Sequence, residues 1–121
     1  MPRILIIDDD ESIRAVIRKM LERTGHEVHE AVDGREGLRI FKETTADLVI
    51  TDILMPEKEG IQTIMELRKE SKDLKILAIS GGGAVGPFTY LSMARELGAD
   101  MTLSKPFTMT ELSEALRTLL A

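Results

Sequence analysis

Hydrophobic residues along this chain gather into four short runs, and each run stops on a polar residue. Ile4-Leu5-Ile6-Ile7 runs into Asp8-Asp9, and Leu48-Val49-Ile50 leads through Thr51 to Asp52. Ile76-Leu77-Ala78-Ile79 stops at Ser80, and the weaker run Met101-Thr102-Leu103-Ser104 stops at Lys105-Pro106. Read as parallel strands of one sheet, the runs bring three carboxylates, a hydroxyl and an ammonium to a single edge. In open parallel α/β sheets the carboxyl-terminal edge is where ligands bind.

Between the runs the period changes to that of a helix. Ile13, Val16, Ile17, Met20 and Leu21 form one apolar stripe, with Gly25 behind them as a C-cap. Glu27-Val28-His29-Glu30-Ala31 reads as a short strand ended by an Asp33-Gly34 turn, and Gly37, Leu38 and Phe41 as a second, shorter helix. Met55-Pro56 and Gly60 break the chain before a helix carrying Ile61, Ile64, Met65 and Leu67. A glycine-rich stretch at 81–87 precedes a helix expected over 88–97. The last helix is announced by a capping box, Thr108-x-x-Glu111, ahead of Leu112, Ala115, Leu116, Leu119 and Leu120. The order is βα five times over. It predicts a mainly parallel sheet with helices on both faces and right-handed crossovers.

Composition narrows the picture. The 121 residues suit one domain, 1–121, with one core. A net charge of −5 argues against a general nucleic-acid or acidic-membrane surface, which needs a basic face. With no cysteine, disulfides, thiolate metal sites and cysteine nucleophiles are excluded. Aromatics at 3% leave too few rings for a base-stacking platform. The first apolar run is too short for a signal peptide and no later one approaches a membrane span, so a soluble, cytoplasmic chain without membrane partners is expected.

Asp8, Asp9 and Asp52 in one pocket would repel one another and raise their own pKa values. A divalent cation relieves the conflict. Mg2+ suits it because it uses few carboxylates, keeps several waters and accepts phosphate oxygens. Asp10 and Glu11 are read as an acidic helix N-terminus favoured by the dipole. Asp52 is the candidate nucleophile, since a carboxylate can attack phosphorus to give an aspartyl-phosphate. Lys105 and the cation would offset charge on the phosphoryl oxygens, Ser80 would donate a hydrogen bond, and Gly81 would leave room.

In combination and order, these residues resemble the response-regulator receiver domains of two-component signalling over the whole chain. The matching stretches are Ile-Ile-Asp8-Asp9-Asp10-Glu, Thr-Asp52-Ile-Leu-Met55-Pro56 with Gly60, Ser80, and Leu-Gly98-Ala99-Asp100 leading to Lys105-Pro106-Phe107. The resemblance implies a flavodoxin-like (βα)5 three-layer sandwich with parallel strand order 2-1-3-4-5. It implies that Asp52 takes a phosphoryl group from a sensor histidine kinase or phosphotransfer protein, with Ser80 and Lys105 on the phosphoryl oxygens. It further implies Mg2+ on Asp8, Asp9, Asp52 and the backbone carbonyl of Leu54, and a cis Lys105-Pro106 bond. Such a domain is a switch and not an enzyme, beyond promoting its own phosphorylation and dephosphorylation. It passes the signal to a downstream protein, and a homodimer is one form it can take. The face of the helix over 88–97 and the last helix is the expected contact.

One position departs from the family pattern. Many receivers carry an aromatic three residues before the lysine, where this chain has Thr102. Signal could pass instead through residues 81–87, whose glycines ease backbone change. No Gly-Lys-Ser/Thr follows them, which argues against a nucleotide loop. His26 and His29 read as surface residues, and most methionines as core filler. The competing enzyme reading takes Asp8-x-Asp10-x-Ser12 as a haloacid-dehalogenase-type phosphatase motif, with Asp8 as nucleophile and Asp10 as acid/base. Against it stand a short chain, no cap insertion and no later acidic pair. Flavin binding lacks a phosphate loop after the first strand, and a chemically silent receiver is at odds with the intact acid–lysine set.

Overall fold

A computed structural model describes residues 2–53, 59–80, 95–96 and 98–120. Its elements are β1 (Arg3–Ile7), α1 (Glu11–Arg23), β2 (Glu27–Ala31), α2 (Gly34–Thr44), β3 (Leu48–Asp52), α3 (Glu59–Glu70), β4 (Lys75–Ser80), β5 (Met101–Ser104) and α4 (Met109–Leu120). The five strands are all parallel, in the order β2-β1-β3-β4-β5. Residues 81–87, and most of the helix expected over 88–97, lie outside the described residues. Among those described, no helix is long and apolar enough to cross a membrane.

The apolar runs are continuous because the sheet is covered on both sides. Leu5, Ile7, Val49, Ile76 and Ala78 face Phe41 of α2 and Ile64 and Leu67 of α3. Their neighbours Ile4, Ile6, Leu48, Ile50, Leu77 and Ile79 face Ile17 and Leu21 of α1 and Leu112, Ala115 and Leu116 of α4. Strand residues point alternately to the two faces, so one sheet carries two cores. The result is the three-layer arrangement the sequence predicts.

Local chemistry sets the helix ends. The Asp10 side chain caps α1, accepting from the N–H groups of Ser12 and Ile13. Gly25, just beyond α1, has φ +84°, a left-handed conformation that an L side chain resists. Thr108 and Glu111 form the reciprocal capping box before α4: the Thr108 N–H donates to Glu111 and the Glu111 N–H to the Thr108 hydroxyl. The Asp33-Gly34 pair is not a free-standing turn. Asp33 caps α2 by accepting from the Glu36 N–H at 2.8 Å, and Gly34 is the first helical residue. Both uses exploit the same short carboxylate, which serves a turn or a helix start equally well.

Two contacts fix the ends of the strands that carry chemistry. Gly60 lets the start of α3 lie directly on the backbone of Asp52 and Ile53, where a Cβ would overlap main-chain atoms. Arg68 reaches from α3 to the carbonyls of Leu74 and Gly98, both at 2.6 Å, and to Asp100 at 2.9 Å. Asp100 in turn accepts from the Ile76 N–H at 2.8 Å. This cluster ties α3 and β4 to the approach to β5.

Gly60→Ala would force backbone away from backbone, and overpacking of this kind costs about 1–3 kcal/mol. Urea unfolding should show a lowered midpoint with an unchanged slope. An unaltered midpoint would mean that the contact between α3 and β3 yields at no cost.

Candidate functional site

Adjacent strands deliver the first two acids. Ile7 of β1 pairs with Thr51 of β3, so Asp8 and Asp52 come next on neighbouring strands. The sheet grows outward from β1 in opposite directions, through β2 and through β3. Asp8 and Asp52 therefore flank the crevice where strand order reverses, the usual ligand position in such sheets. Both are buried, Asp8 at 2% exposed and Asp52 at 5%. Asp9 follows in the loop and is exposed. One carboxylate oxygen from each of Asp8, Asp9 and Asp52 lies within 4.8 Å of the others.

Lys105 enters from the far side of the sheet. It follows β5, its N–H donating to the Ser80 carbonyl at 2.7 Å, and its peptide bond to Pro106 is cis. Its Nζ donates to Asp8 Oδ2 at 3.1 Å and to Asp52 Oδ2 at 3.2 Å. Burial opposes the charge on Lys105, but Asp52 and Asp8 together outweigh it and hold the ammonium above its ordinary pKa. Burial pushes the Asp8 carboxyl up from the usual range; the Asp10 N–H pulls it down, Asp52 raises it, and Lys105 lowers it. One ammonium thus faces two buried carboxylates with a third beside them. That donor set fits a small divalent cation: oxygen-only, anionic and short of positive charge.

Ser80 ends β4 and is fully buried, one step past Ile79, the partner of Asp52. It stands between the strands that carry Asp52 and Lys105. Leu54, expected to offer its carbonyl, lies outside the described residues. Thr102, on β5, pairs with Ala78 of β4 and is half-buried. The carboxylate of Asp10 is committed to capping α1, which counts against it as the acid/base of a phosphatase. His26 bonds Thr24, and His29 bonds Glu27, both away from the acidic edge.

The sequence reading passed over Arg14. Its Nη1 donates to the Asp8 carbonyl oxygen at 2.6 Å and its Nε to Glu30 Oε1 on β2 at 3.0 Å. The available signal was a basic residue one turn past the N-cap, opposite a glutamate on a strand otherwise read only for its apolar positions. Beside Lys105, a cavity of about 370 Å³ is lined by Ile13, Val16, Ile17, Pro106, Phe107 and Met109.

Residues 4–117 match the family described as the response regulator receiver domain. The chain belongs to that family. Receiver domains are the phosphoacceptor switches of two-component signalling, and the described residues carry their five parallel strands in the order 2-1-3-4-5 with four helices. It is 40% identical over 118 residues to a probable transcriptional regulator, ycf27, of Cyanophora paradoxa, a match covering 98% of this chain and 48% of that protein. The response regulator MprA of Mycolicibacterium vanbaalenii is 36% identical, over 98% of this chain and 50% of that one. The chain thus spans about half the length of the curated relatives it matches. Among solved structures, a receiver domain protein from Clostridium thermocellum superposes with a TM-score of 0.90 at 34% identity, covering 99% of this chain and 94% of that one. The chemotaxis protein CheY4 of Vibrio cholerae gives 0.87 at 30% identity, with 98% of each chain covered.

The raised carboxyl of Asp8 predicts a pH effect. A group whose folded pKa lies above its unfolded value stabilises most below the unfolded value, about 3.9 for aspartate, and that stability is lost as pH rises through the folded pKa. Asn stands in for the protonated acid and keeps an acceptor for the Asp10 N–H. In chelator at pH 7, Asp8→Asn should therefore melt a few degrees above the wild-type receiver, with the gain shrinking as pH falls through the raised folded pKa and gone below about 4. A variant less stable than wild type throughout would show that the Lys105 pair outweighs burial of Asp8.

Proposed function

We propose that Asp52 is the phosphoacceptor of this receiver, and that residues 1–121 act as one phosphoryl-operated switch. The supporting observation is the position of Asp52: buried, at a strand end, with one oxygen 3.2 Å from the Lys105 ammonium and within the acidic trio. In the transfer, an Asp52 oxygen attacks the phosphorus of a phosphohistidine on a sensor kinase or phosphotransfer protein. The new O–P bond forms as the N–P bond breaks, and the imidazole leaves and takes a proton from water.

Asp8, Asp9 and Asp52 would hold Mg2+. The chemistry it supplies when bound is positive charge against the carboxylates and the phosphoryl oxygens. Lys105 already bonds the Asp52 carboxylate and can shift onto a phosphoryl oxygen without crossing the site, keeping its charge where negative charge gathers. Ser80 would donate to another phosphoryl oxygen. The domain promotes only its own phosphorylation and the later hydrolysis, so it is a switch and not a turnover enzyme.

Output follows from a shifted equilibrium. Phosphorylation must favour one conformation by a few kcal/mol to change partner binding usefully. A cytoplasmic setting, where a kinase can present its phosphohistidine, suits this role, with a downstream protein or a second copy as the responding partner.

Incubation with radiolabelled acetyl phosphate and Mg2+ should label the wild-type protein, and Asp52→Asn should remove the label. Chelation of the metal should do the same. Undiminished labelling of Asp52→Asn would place the acceptor elsewhere.

A further inference from the structure

Phosphoryl transfer as described makes no use of Arg14, yet Arg14 is one of the best-anchored charged residues near the site. It lies one turn into α1, with its side chain 12% exposed. Its two hydrogen bonds run to different elements: Nη1 to the Asp8 carbonyl at 2.6 Å, and Nε to Glu30 Oε1 at 3.0 Å on β2. The other Glu30 oxygen accepts from Arg18 Nη1 at 2.6 Å, and Arg18 Nε donates to Glu22 at 3.1 Å. Charges of alternating sign thus lead from the surface of α1 to the backbone of the β1–α1 loop. Glu30 is held below the ordinary carboxylate range, by Arg18 foremost and with help from Arg14 against burial. It is ionised at neutral pH and matches the guanidinium charge.

What that anchor controls is Asp9. Asp8 and Asp52 are buried and held by Lys105. Asp9 is exposed, and among the described residues no hydrogen bond or ion pair holds its carboxylate. Among the described residues, only the main chain aims it. The Asp8 carbonyl and the Asp9 N–H share one rigid peptide plane, so a bond to that carbonyl oxygen sets the plane from which Asp9 projects. The Asp10 N–H also bonds Asp8 Oδ1, at 2.9 Å across the same loop. That bond occupies a carboxylate oxygen of a prospective cation ligand. The Arg14 bond occupies none, so it persists whichever carboxylate oxygens a cation takes.

We propose that Arg14, anchored by Glu30, is a positioning residue that fixes the Asp8–Asp9 peptide and so preorganises the exposed Asp9 carboxylate for a divalent cation. The proposal rests on the reading of Asp8, Asp9 and Asp52 as a cation site. Mg2+ demands near-ideal octahedral geometry, which makes a carboxylate that no described side chain holds the weak point of the site. Groups that orient metal ligands typically contribute 10- to 100-fold in affinity.

The sign of the effect separates geometry from charge. Removing a cationic side chain near the site would, by charge alone, tighten Mg2+ binding. Loosening the Asp8–Asp9 peptide would weaken it. The test is a Mg2+ titration of the whole 121-residue chain, followed by the backbone amide NMR shifts of Asp9 and Asp10 at a temperature where every variant is folded. Arg14→Gln should bind Mg2+ about tenfold more weakly. Arg14→Lys should recover part of that loss, because an ammonium can still donate to the carbonyl. Arg18→Gln, which loosens the same network without touching Asp8, should stay within about twofold of wild type. If Arg14→Gln does not fold, Arg14→Lys, which keeps the charge and alters only the donor geometry, carries the test and is expected to weaken Mg2+ severalfold.

Unchanged or tighter binding in Arg14→Gln, with Asp9→Asn impaired, would overturn the positioning role and leave the cation site standing. An equal loss in Arg18→Gln would overturn it too, by showing a general effect of network stability. A wild-type chain that binds no Mg2+ would remove the cation site and the positioning role together, and an Asp9→Asn variant that binds as well as wild type would take Asp9 out of the site and the positioning role with it.

Discussion

Two buried carboxylates on neighbouring strands, facing one ammonium, are the constraint around which this domain is organised. Asp8 and Asp52 sit side by side because β1 and β3 are adjacent and in register, and both are withdrawn from water. Such a pair is unstable unless positive charge is brought to it. Lys105 brings one unit from the end of the outer strand β5. The remaining negative imbalance is what suits the site to a cation. A fully neutralised site would be more stable and would have less to gain from one.

Much of the surrounding structure serves to hold these charges at fixed separations. Gly60 lets α3 press on the end of β3, which fixes the backbone of Asp52. Arg68, through Leu74, Gly98 and Asp100, ties α3 and β4 to the approach to β5, the strand that delivers Lys105. Asp10 caps α1 and at the same time offers its N–H to Asp8. Each contact is modest, near 1 kcal/mol for an ordinary hydrogen bond and more for a charged one. Their common effect is to convert sequence-distant residues into one edge with little freedom.

The fold was legible because parallel strands buried on both faces write themselves as unbroken apolar runs, while the helices repeat at 3.6 residues. The site was legible because its residues end those runs, so finding the strands found Asp8, Asp52, Ser80 and Lys105. What escaped was chemistry carried by long-range pairing. Asp33-Gly34 reads as a turn from its neighbours alone, and only the following helix shows that Asp33 is a cap. Arg14 looks like any solvated residue on an amphipathic helix until β2 sets Glu30 beside it. The Leu-Gly98-Ala99-Asp100 stretch could be recognised but not explained until Arg68 was seen to bind it. Thr102, half-buried on β5, stands where many receivers carry an aromatic.

If Asp52 is the acceptor, the phosphoryl group is joined to it as an acyl phosphate and to neither neighbouring acid. Hydride reduction reads this directly, since borohydride converts an acyl phosphate to an alcohol with release of phosphate, and the reduced residue is stable to peptide mapping. After reaction with acetyl phosphate and Mg2+, reduction is expected at position 52 alone. Reduction at Asp8 or Asp9 would place the acceptor there instead.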